Sequence, residues 1–495
     1  GFADRTMSRR PTGTNRHRQV ATTDNHETSA PLQGRRLQLV TFLVTGSMFM
    51  EVLDGNIIAT ALPQMGRSFG VDALELNVAM SAYLLALGVF IPVSGWIADR
   101  FGARRVFATA IASFTLTSLL CGLISDLQLF IALRVLQGAS GALMVPVGRL
   151  LVLRHTPQEQ RMAAMSNLVW PALLAPVIAP ALGGFIVQHA SWHWIFFINL
   201  PLGVVAFALA LSLIPAMPPE PRRAFDWLGF GLSGLGIFAL LSGMERVAAA
   251  PGLFNCALLL TGLALVAASL WHFRHAANAM LSLAPLGIAT FRAVMLGGSL
   301  ERMAISSFPF LLPLMLQVGF QMEAFRAGLL LLVVFVGNFA MKAVTTPLLR
   351  HFGYRRVMLG NGSLAALSIA ACAFIDADTS PLLLLPLLLA CGMTRSMQFT
   401  CLSTLAFADV PDRQMSDANG LFNVVTQLSM AAGITLGAMT VRLGEVLAGH
   451  WHLDVPAIEY RVAMICTGLL VLLGLLDTLR LPRNAGDHFV ARKKS

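Results

Sequence analysis

Two carboxylates, Glu51 and Asp54, stand inside an apolar stretch that begins near Leu39 and runs to Leu62-Pro63. An ionisable side chain at the centre of a membrane helix costs at least about 2.5–3.5 kcal/mol by insertion scales, so it is a functional candidate by default. Their spacing puts both on one helix face. That face must look into protein or into a water-filled path, because lipid does not tolerate it. Two uses fit: binding and release of an ion or proton during passage across the membrane, or a buried, neutralised pair that fixes helix packing. Arg134 also lies several residues inside an apolar run, too deep for an ordinary interfacial arginine. It must find a carboxylate, carbonyls or water, and Asp54 and Glu51 are the candidates.

The second half of the chain carries Glu301, Arg302, Lys342 and Arg395 within predicted helices, with Gln398, Asn419, Asn423 and Gln427 near in sequence or on neighbouring helices. One reading is structural pairing; the other is a cavity wall that attracts an anion. A cavity for lipophilic compounds needs broad apolar contact with a few polar handles. Tyr83, Trp170 and some of the 23 Met residues can supply it. His189 and His193 fall at the outer edge of predicted helices. The six cysteines are scattered in apolar runs without a CxxC pair, so they read as small buried hydrophobes, and no metal site is expected. No Gly-x4-Gly-Lys-Ser/Thr phosphate loop occurs, so an ion gradient, not ATP, is the expected energy source. No nucleophile–base constellation stands out, and an enzyme is not expected.

These residues must be positioned by membrane helices. The chain has 495 residues, 56% apolar and only 12% charged, with a mean hydropathy of +0.71; soluble domains run near 25% charged. Apolar runs predict about fourteen helices, at roughly 39–65, 75–98, 105–124, 127–153, 163–188, 194–214, 225–245, 253–273, 291–319, 324–349, 357–375, 382–408, 417–441 and 463–481. Arg100, Arg104, Arg105, Arg154, Arg161, Arg350, Arg355 and Arg356 fall at one set of helix ends. By the positive-inside rule both termini are cytoplasmic, and the net charge of +10 reflects topology rather than nucleic-acid binding. Residues 1–38 read as a basic, disordered tail and not as a secretory signal peptide, with Met7 nearer the true start. Residues 483–495 form a second basic tail.

Phe101-Gly102-Ala103-Arg104-Arg105 returns as Phe352-Gly353-Tyr354-Arg355-Arg356, and Pro157-Gln158-Glu159-Gln160-Arg161 is echoed by Pro411-Asp412-Arg413-Gln414. Two six-helix halves, 39–215 and 275–482, with two helices inserted at 216–274, space the copies this way. Parallel repeats of this kind are a transporter signature and place a binding site at the bilayer midplane between the halves.

Gly95-Trp96-Ile97-Ala98-Asp99-Arg100-Phe101-Gly102-Ala103-Arg104-Arg105 resembles the loop motif after the second helix of the major facilitator superfamily. Leu133-Arg134-Val135-Leu136-Gln137-Gly138 resembles its fourth-helix arginine motif, and Ala179-Pro180-Ala181-Leu182-Gly183-Gly184 its fifth-helix antiporter motif. Leu53-Asp54, Ala61-Leu62-Pro63 and Trp192-His193-Trp194-Ile195-Phe196-Phe197-Ile198-Asn199-Leu200-Pro201 are similar to the fourteen-helix drug:proton antiporters of Emr and Qac type. Leu312-Pro313-Leu314-Met315-Leu316-Gln317 and Met397-Gln398-Phe399-Thr400 resemble an Mdt-type branch.

The resemblance implies an all-α polytopic membrane protein with the major facilitator fold, in the inner membrane of a bacterium. It implies proton-coupled efflux of small lipophilic compounds by alternating access, without a cofactor. Asp54, Glu51 and Arg134 would carry proton coupling. Gly95, Asp99, Arg100, Gly102, Arg104 and Arg105 would form a cytoplasmic gate, with Asp99 paired among the arginines, and Pro180, Gly183 and Gly184 an antiporter element. In the second copy Arg350 takes the place of Asp99, so a latch would be asymmetric. The expected partners are the bilayer and a small substrate; no motif specifies a periplasmic adaptor, an outer-membrane channel or nucleic acid. Two alternatives stand beside this reading: export of a particular anionic metabolite or siderophore-like compound, and a membrane sensor or scaffold that does not transport.

Overall fold

A computed structural model describes residues 34–58, 61–71, 73–157, 160–215, 224–250, 252–322, 324–451 and 455–482. In lipid every backbone N–H and C=O must be satisfied within the segment, so apolar runs of this length become helices. The first half comprises α1 (Gly34–Ile57), α2 (Leu62–Phe69), α3 (Ala73–Phe90), α4 (Ser94–Phe101), α5 (Ala103–Cys121), α6 (Leu127–His155), α7 (Arg161–His189), α8 (Trp194–Phe197) and α9 (Asn199–Leu213). A central hairpin, α10 (Trp227–Ala249) and α11 (Leu253–His275), follows. The second half comprises α12 (Ala289–Leu314), α13 (Ala324–Phe352), α14 (Tyr354–Ala371), α15 (Pro381–Leu405), α16 (Met415–Trp451) and α17 (Ile458–Leu479).

Among the described residues, twelve helices are long and apolar enough to cross a membrane, against about fourteen expected. The two long helices outside that set are α5 and α7. α5 carries Arg104, Arg105, Thr109, Ser113, Thr115, Thr117 and Ser118 among its 19 residues, and many side chains of α7 lie outside the described residues.

Two predicted helices are broken where proline falls. The expected 39–65 helix ends at Ile57 and restarts as α2, with Pro63 in its first turn. Proline has no N–H for the carbonyl four residues back and its ring crowds that carbonyl, so it begins a helix better than it continues one. The expected 75–98 helix passes through a 3-10 turn, Ile91–Val93, built on Pro92. At the other end of α1 the helix begins at Gly34, five residues before the expected start and inside the segment read as a tail.

The repeated loops fold alike. Gly102 has φ +87° and Gly353 has φ +76°, a region that only glycine enters at little cost. Each reverses the chain between two helices in a single residue. Packing then follows the two halves: α1 lies on α6, α7 and α9, and α3 and α5 on α6, while α12 lies on α16 and α17, and α13 and α14 on α15. The α10–α11 hairpin packs on α3 of one half and α16 of the other.

Asp226 anchors that hairpin. Its carboxylate caps α10 by accepting from Gly229 N at 2.8 Å, and it also accepts from Met280 N at 3.2 Å and contacts His272 Nε2 at 2.9 Å. Burial pushes its pKa up, but these hydrogen bonds outweigh burial and hold the carboxyl below its ordinary range. A depressed carboxyl stabilises the fold above its unfolded pKa and loses that stabilisation as pH falls through the folded value. Asp226→Ala is therefore expected to cost about 1 kcal/mol, the usual worth of a helix cap. The check is thermal unfolding of the purified protein against pH, where the gap from wild type should close in acid.

Candidate functional site

The last two turns of α1 are the centre of the site. Asp54 and Glu51 share a face, as their spacing requires, but they enter different surroundings. The Asp54 side chain is fully buried and pairs with Arg134 Nη1 of α6 at 2.7 Å. Its other oxygen accepts from Asn199 Nδ2 of α9 at 2.7 Å. Arg134 Nη1 also donates to Gln137 Oε1 at 2.7 Å, and Asn199 Nδ2 to Ser118 Oγ at 3.0 Å. The carboxylate is thus held by one charged and one neutral donor, from two different helices. Arg134 Nε and Nη2 are buried without a hydrogen-bond partner.

Glu51 instead lines a central cavity of about 460 Å³ between the halves. Tyr83 of α3 joins the two carboxylate surroundings. Its hydroxyl donates to Glu51 Oε1 at 3.3 Å and lies 3.2 Å from Glu51 O, while its ring lies under the Arg134 guanidinium at 4.2 Å. Gly138, one turn beyond Arg134, lets α6 approach α3: a Cβ there would stand 2.2 Å from Tyr83 O. Overpacking of a tight core costs about 1–3 kcal/mol, so Gly138→Ala is expected to lower thermal stability by that amount and to displace Tyr83. Unchanged melting and unchanged Tyr83 hydroxyl exchange would refute this contact.

Of the residues expected at the cavity, Tyr83, Arg395, Asn423 and Gln427 line it, together with Arg149. Glu301 and Gln398 do not; they line a narrow void behind Arg395. Arg302 and Lys342 are not on the cavity wall either. Arg302 Nη1 donates to Val294 O at 3.1 Å, and Lys342 Nζ reaches across to Ser166 O of α7 at 2.6 Å. The side chains of Trp170 and Pro180 lie outside the described residues. Gly183 is buried, whereas Gly184 is exposed and a Cβ on it would meet nothing within 4 Å.

The arginine-rich end differs from expectation in its pairing. Asp99 pairs with Arg154 Nη2, at the end of α6, at 2.9 Å, rather than with the arginines beside it in sequence. The turn at Gly102 sends Arg104 to Leu211 O of α9. Arg100 lies over the Trp96 ring at 5.4 Å, and Arg105 is exposed. Contacts between the halves gather at this end: Arg161 with Asp412 at 2.7 Å, Arg149 Nη1 with Asn423 Oδ1 at 2.8 Å and Asn419 Nδ2 with Pro146 O at 2.7 Å. Gly95 brings α4 against α16, where a Cβ would stand 3.1 Å from Ser416 Oγ.

The sequence reading missed Asn199, Gln137 and Ser118 as partners of the pair. Asn199 and Gln137 lie within quoted motifs, but nothing in spacing alone says that α9 returns to face α1. Cys121, Cys372, Cys391 and Cys401 are buried as expected, whereas Cys256 is exposed; on α11 it faces away from the protein.

A two-halved helical bundle with a central cavity and a buried ion pair beside it defines a membrane transporter that works without a chemical step of its own. The chain belongs to the major facilitator superfamily, whose sequence profile matches residues 44–434, and it is accordingly a secondary transporter and not an enzyme. It is 37% identical over 472 residues to "Putative multidrug resistance protein MdtD" of Cronobacter sakazakii, covering 93% of this chain and 98% of that protein. The protein of the same name from Klebsiella pneumoniae is 36% identical over 463 residues, covering 92% and 97%. Among solved structures, the human organic anion transporter MFSD10 (TETRAN) has 14% identity and a TM-score of 0.64, covering 90% of this chain and 100% of that one. The proton:xylose symporter XylE has 15% identity and a TM-score of 0.58, covering 91% and 97%. At these identities the two structures speak to the fold alone.

Proposed function

We propose that this chain is a proton-coupled exporter of small lipophilic or amphipathic compounds in a bacterial inner membrane, with both termini cytoplasmic. The observation that carries the reading is the buried Asp54–Arg134 pair, joined through Tyr83 to Glu51 on the wall of the central cavity. The names of the curated relatives support the substrate class.

The cycle follows from electrostatics. A proton entering through the cavity reaches Glu51 and then Asp54. Protonated Asp54 no longer compensates Arg134, and an unpaired buried charge costs several kcal/mol. The guanidinium must then rearrange, which shifts α6 against α1 and biases the contacts between the halves. Opening of the arginine-rich end requires those contacts to part, Arg161–Asp412 and Arg149–Asn423 among them. Substrate then binds from the cytoplasmic side, and deprotonation of Asp54 restores the pair as the cavity closes. The energy source is the proton gradient, with no cofactor.

The test is proton movement by the purified protein in liposomes on addition of cationic, neutral and anionic lipophiles. Flux driven by cationic or neutral compounds supports the exporter. A second reading, export of an anionic metabolite, draws on Arg149 and Arg395, which line the cavity with no ion-pair partner among the described residues; flux with anions alone would favour it. A protein that moves neither substrate nor protons would be the non-transporting alternative.

A further inference from the structure

Glu301 and Arg302 are neighbours on α12 but serve different surroundings. Glu301 is 1% exposed. Its Oε2 accepts from Gln398 Nε2 of α15 at 2.6 Å, and Gln398 Oε1 accepts in turn from Asn361 Nδ2 of α14 at 2.8 Å. Both donors are neutral amides. Glu301 Oε1 is buried and has no hydrogen-bond partner. Arg302 is near enough to attract it but makes no salt bridge with it: its guanidinium lies over the Phe422 ring of α16 at 5.0 Å and bonds a carbonyl of its own helix.

The remaining titratable groups around Glu301 do not pair with it. On α15 these are Cys391 and Arg395, which line the same void, and Cys401; on α17 it is Asp477, which bonds Arg480 at 3.3 Å. α17 meets Glu301 itself with Gly474, where a Cβ would stand 2.7 Å from Glu301 Cγ. A carboxylate buried without a cation is expensive, and such a group takes up a proton instead.

The void adjoins the central cavity. Arg395 and Ile305 line both spaces, so their side chains are the partition. Arg395 Nε donates to Ile305 O at 3.2 Å, and its Nη1 donates to Asn338 Oδ1 at 3.2 Å in the amide orientation that satisfies Asn338. These are neutral acceptors, which a guanidinium can exchange for others. We propose that Glu301 is a second proton-binding site, in the second half of the protein, loaded from the central cavity past Arg395 and separate from Asp54. Its place in coupling rests on the transport reading above; its capacity to hold a proton does not.

The test uses the full chain in lipid vesicles, without substrate, and reads the carboxylic C=O stretching band by infrared difference spectroscopy during hydrogen–deuterium exchange. Wild type is expected to show a band that Glu301→Gln removes, Glu301→Asp displaces and Asp54→Asn leaves in place. Arg395→Ala should speed exchange of that band several-fold. A Glu301→Gln spectrum identical to wild type would overturn the site. If that variant fails to fold, an unmoved band in Glu301→Asp overturns it equally, and unchanged exchange in Arg395→Ala would overturn the route. In transport-competent vesicles, Glu301→Gln should lower the number of protons moved per substrate while substrate-driven flux stays dependent on Asp54, whose titration drives the change of state. An unchanged ratio would remove Glu301 from coupling.

Discussion

Asp54→Asn is expected to reduce substrate-driven proton movement in liposomes to that of empty vesicles while leaving substrate binding in place. Asparagine keeps the size of the side chain and can still accept from Asn199, now 2.7 Å from Asp54 Oδ1. It cannot exchange a proton or compensate Arg134. The variant therefore resembles the protonated state permanently, a state the proposed cycle visits, and it should fold. Binding should survive because Asp54 lies behind Tyr83 and outside the cavity lining, whereas Glu51 is on the wall. Binding measured by fluorescence quenching and proton movement measured with an entrapped pH dye should thus separate. Coupled flux that persists in Asp54→Asn would move the coupling role to Glu51 or to the second half of the chain.

The second large effect concerns the fold. Arg134→Met keeps much of the length of the side chain but leaves Asp54 buried with only the Asn199 amide for a partner. Removing one member of a buried pair typically costs about 3–5 kcal/mol, because the other charge stays buried and uncompensated. The double variant Asp54→Asn/Arg134→Met removes both charges and should recover much of that loss. Recovery should be incomplete, since Arg134 also lies 4.2 Å from the centre of the Tyr83 ring. Thermal unfolding in lipid nanodiscs compares the four proteins as a double-mutant cycle. A single Arg134→Met as stable as wild type would mean that the pair does not bear on stability.

Much of the architecture was legible because lipid imposes it. Long apolar runs have one solution, the helix, and the repeated Phe-Gly-x-Arg-Arg loops share a positive-φ glycine, Gly102 and Gly353. Helix ends were less legible. Pro63 and Pro92 interrupt runs that hydropathy alone reads as continuous, and the polar content of α5 hides a long helix from an apolarity criterion. Asp99 illustrates a different difficulty: three arginines adjoin it in sequence, yet its partner Arg154 lies at the end of another helix. Sequence proximity does not decide pairing once the chain reverses at Gly102.

The same division holds at the site. Sequence by itself determined that Glu51 and Asp54 share a helix face, because the 3.6-residue period allows nothing else, and that a deep Arg134 needs an acceptor. Only the tertiary structure decided which carboxylate it takes, because that depends on how α6 and α9 cross α1. That crossing places Asp54 against Arg134 and Asn199 and turns Glu51 to the cavity. It also decided that Glu301 and Arg302, adjacent in the chain, part company: successive helical residues point about 100° apart, so neighbours on a helix rarely meet the same surroundings.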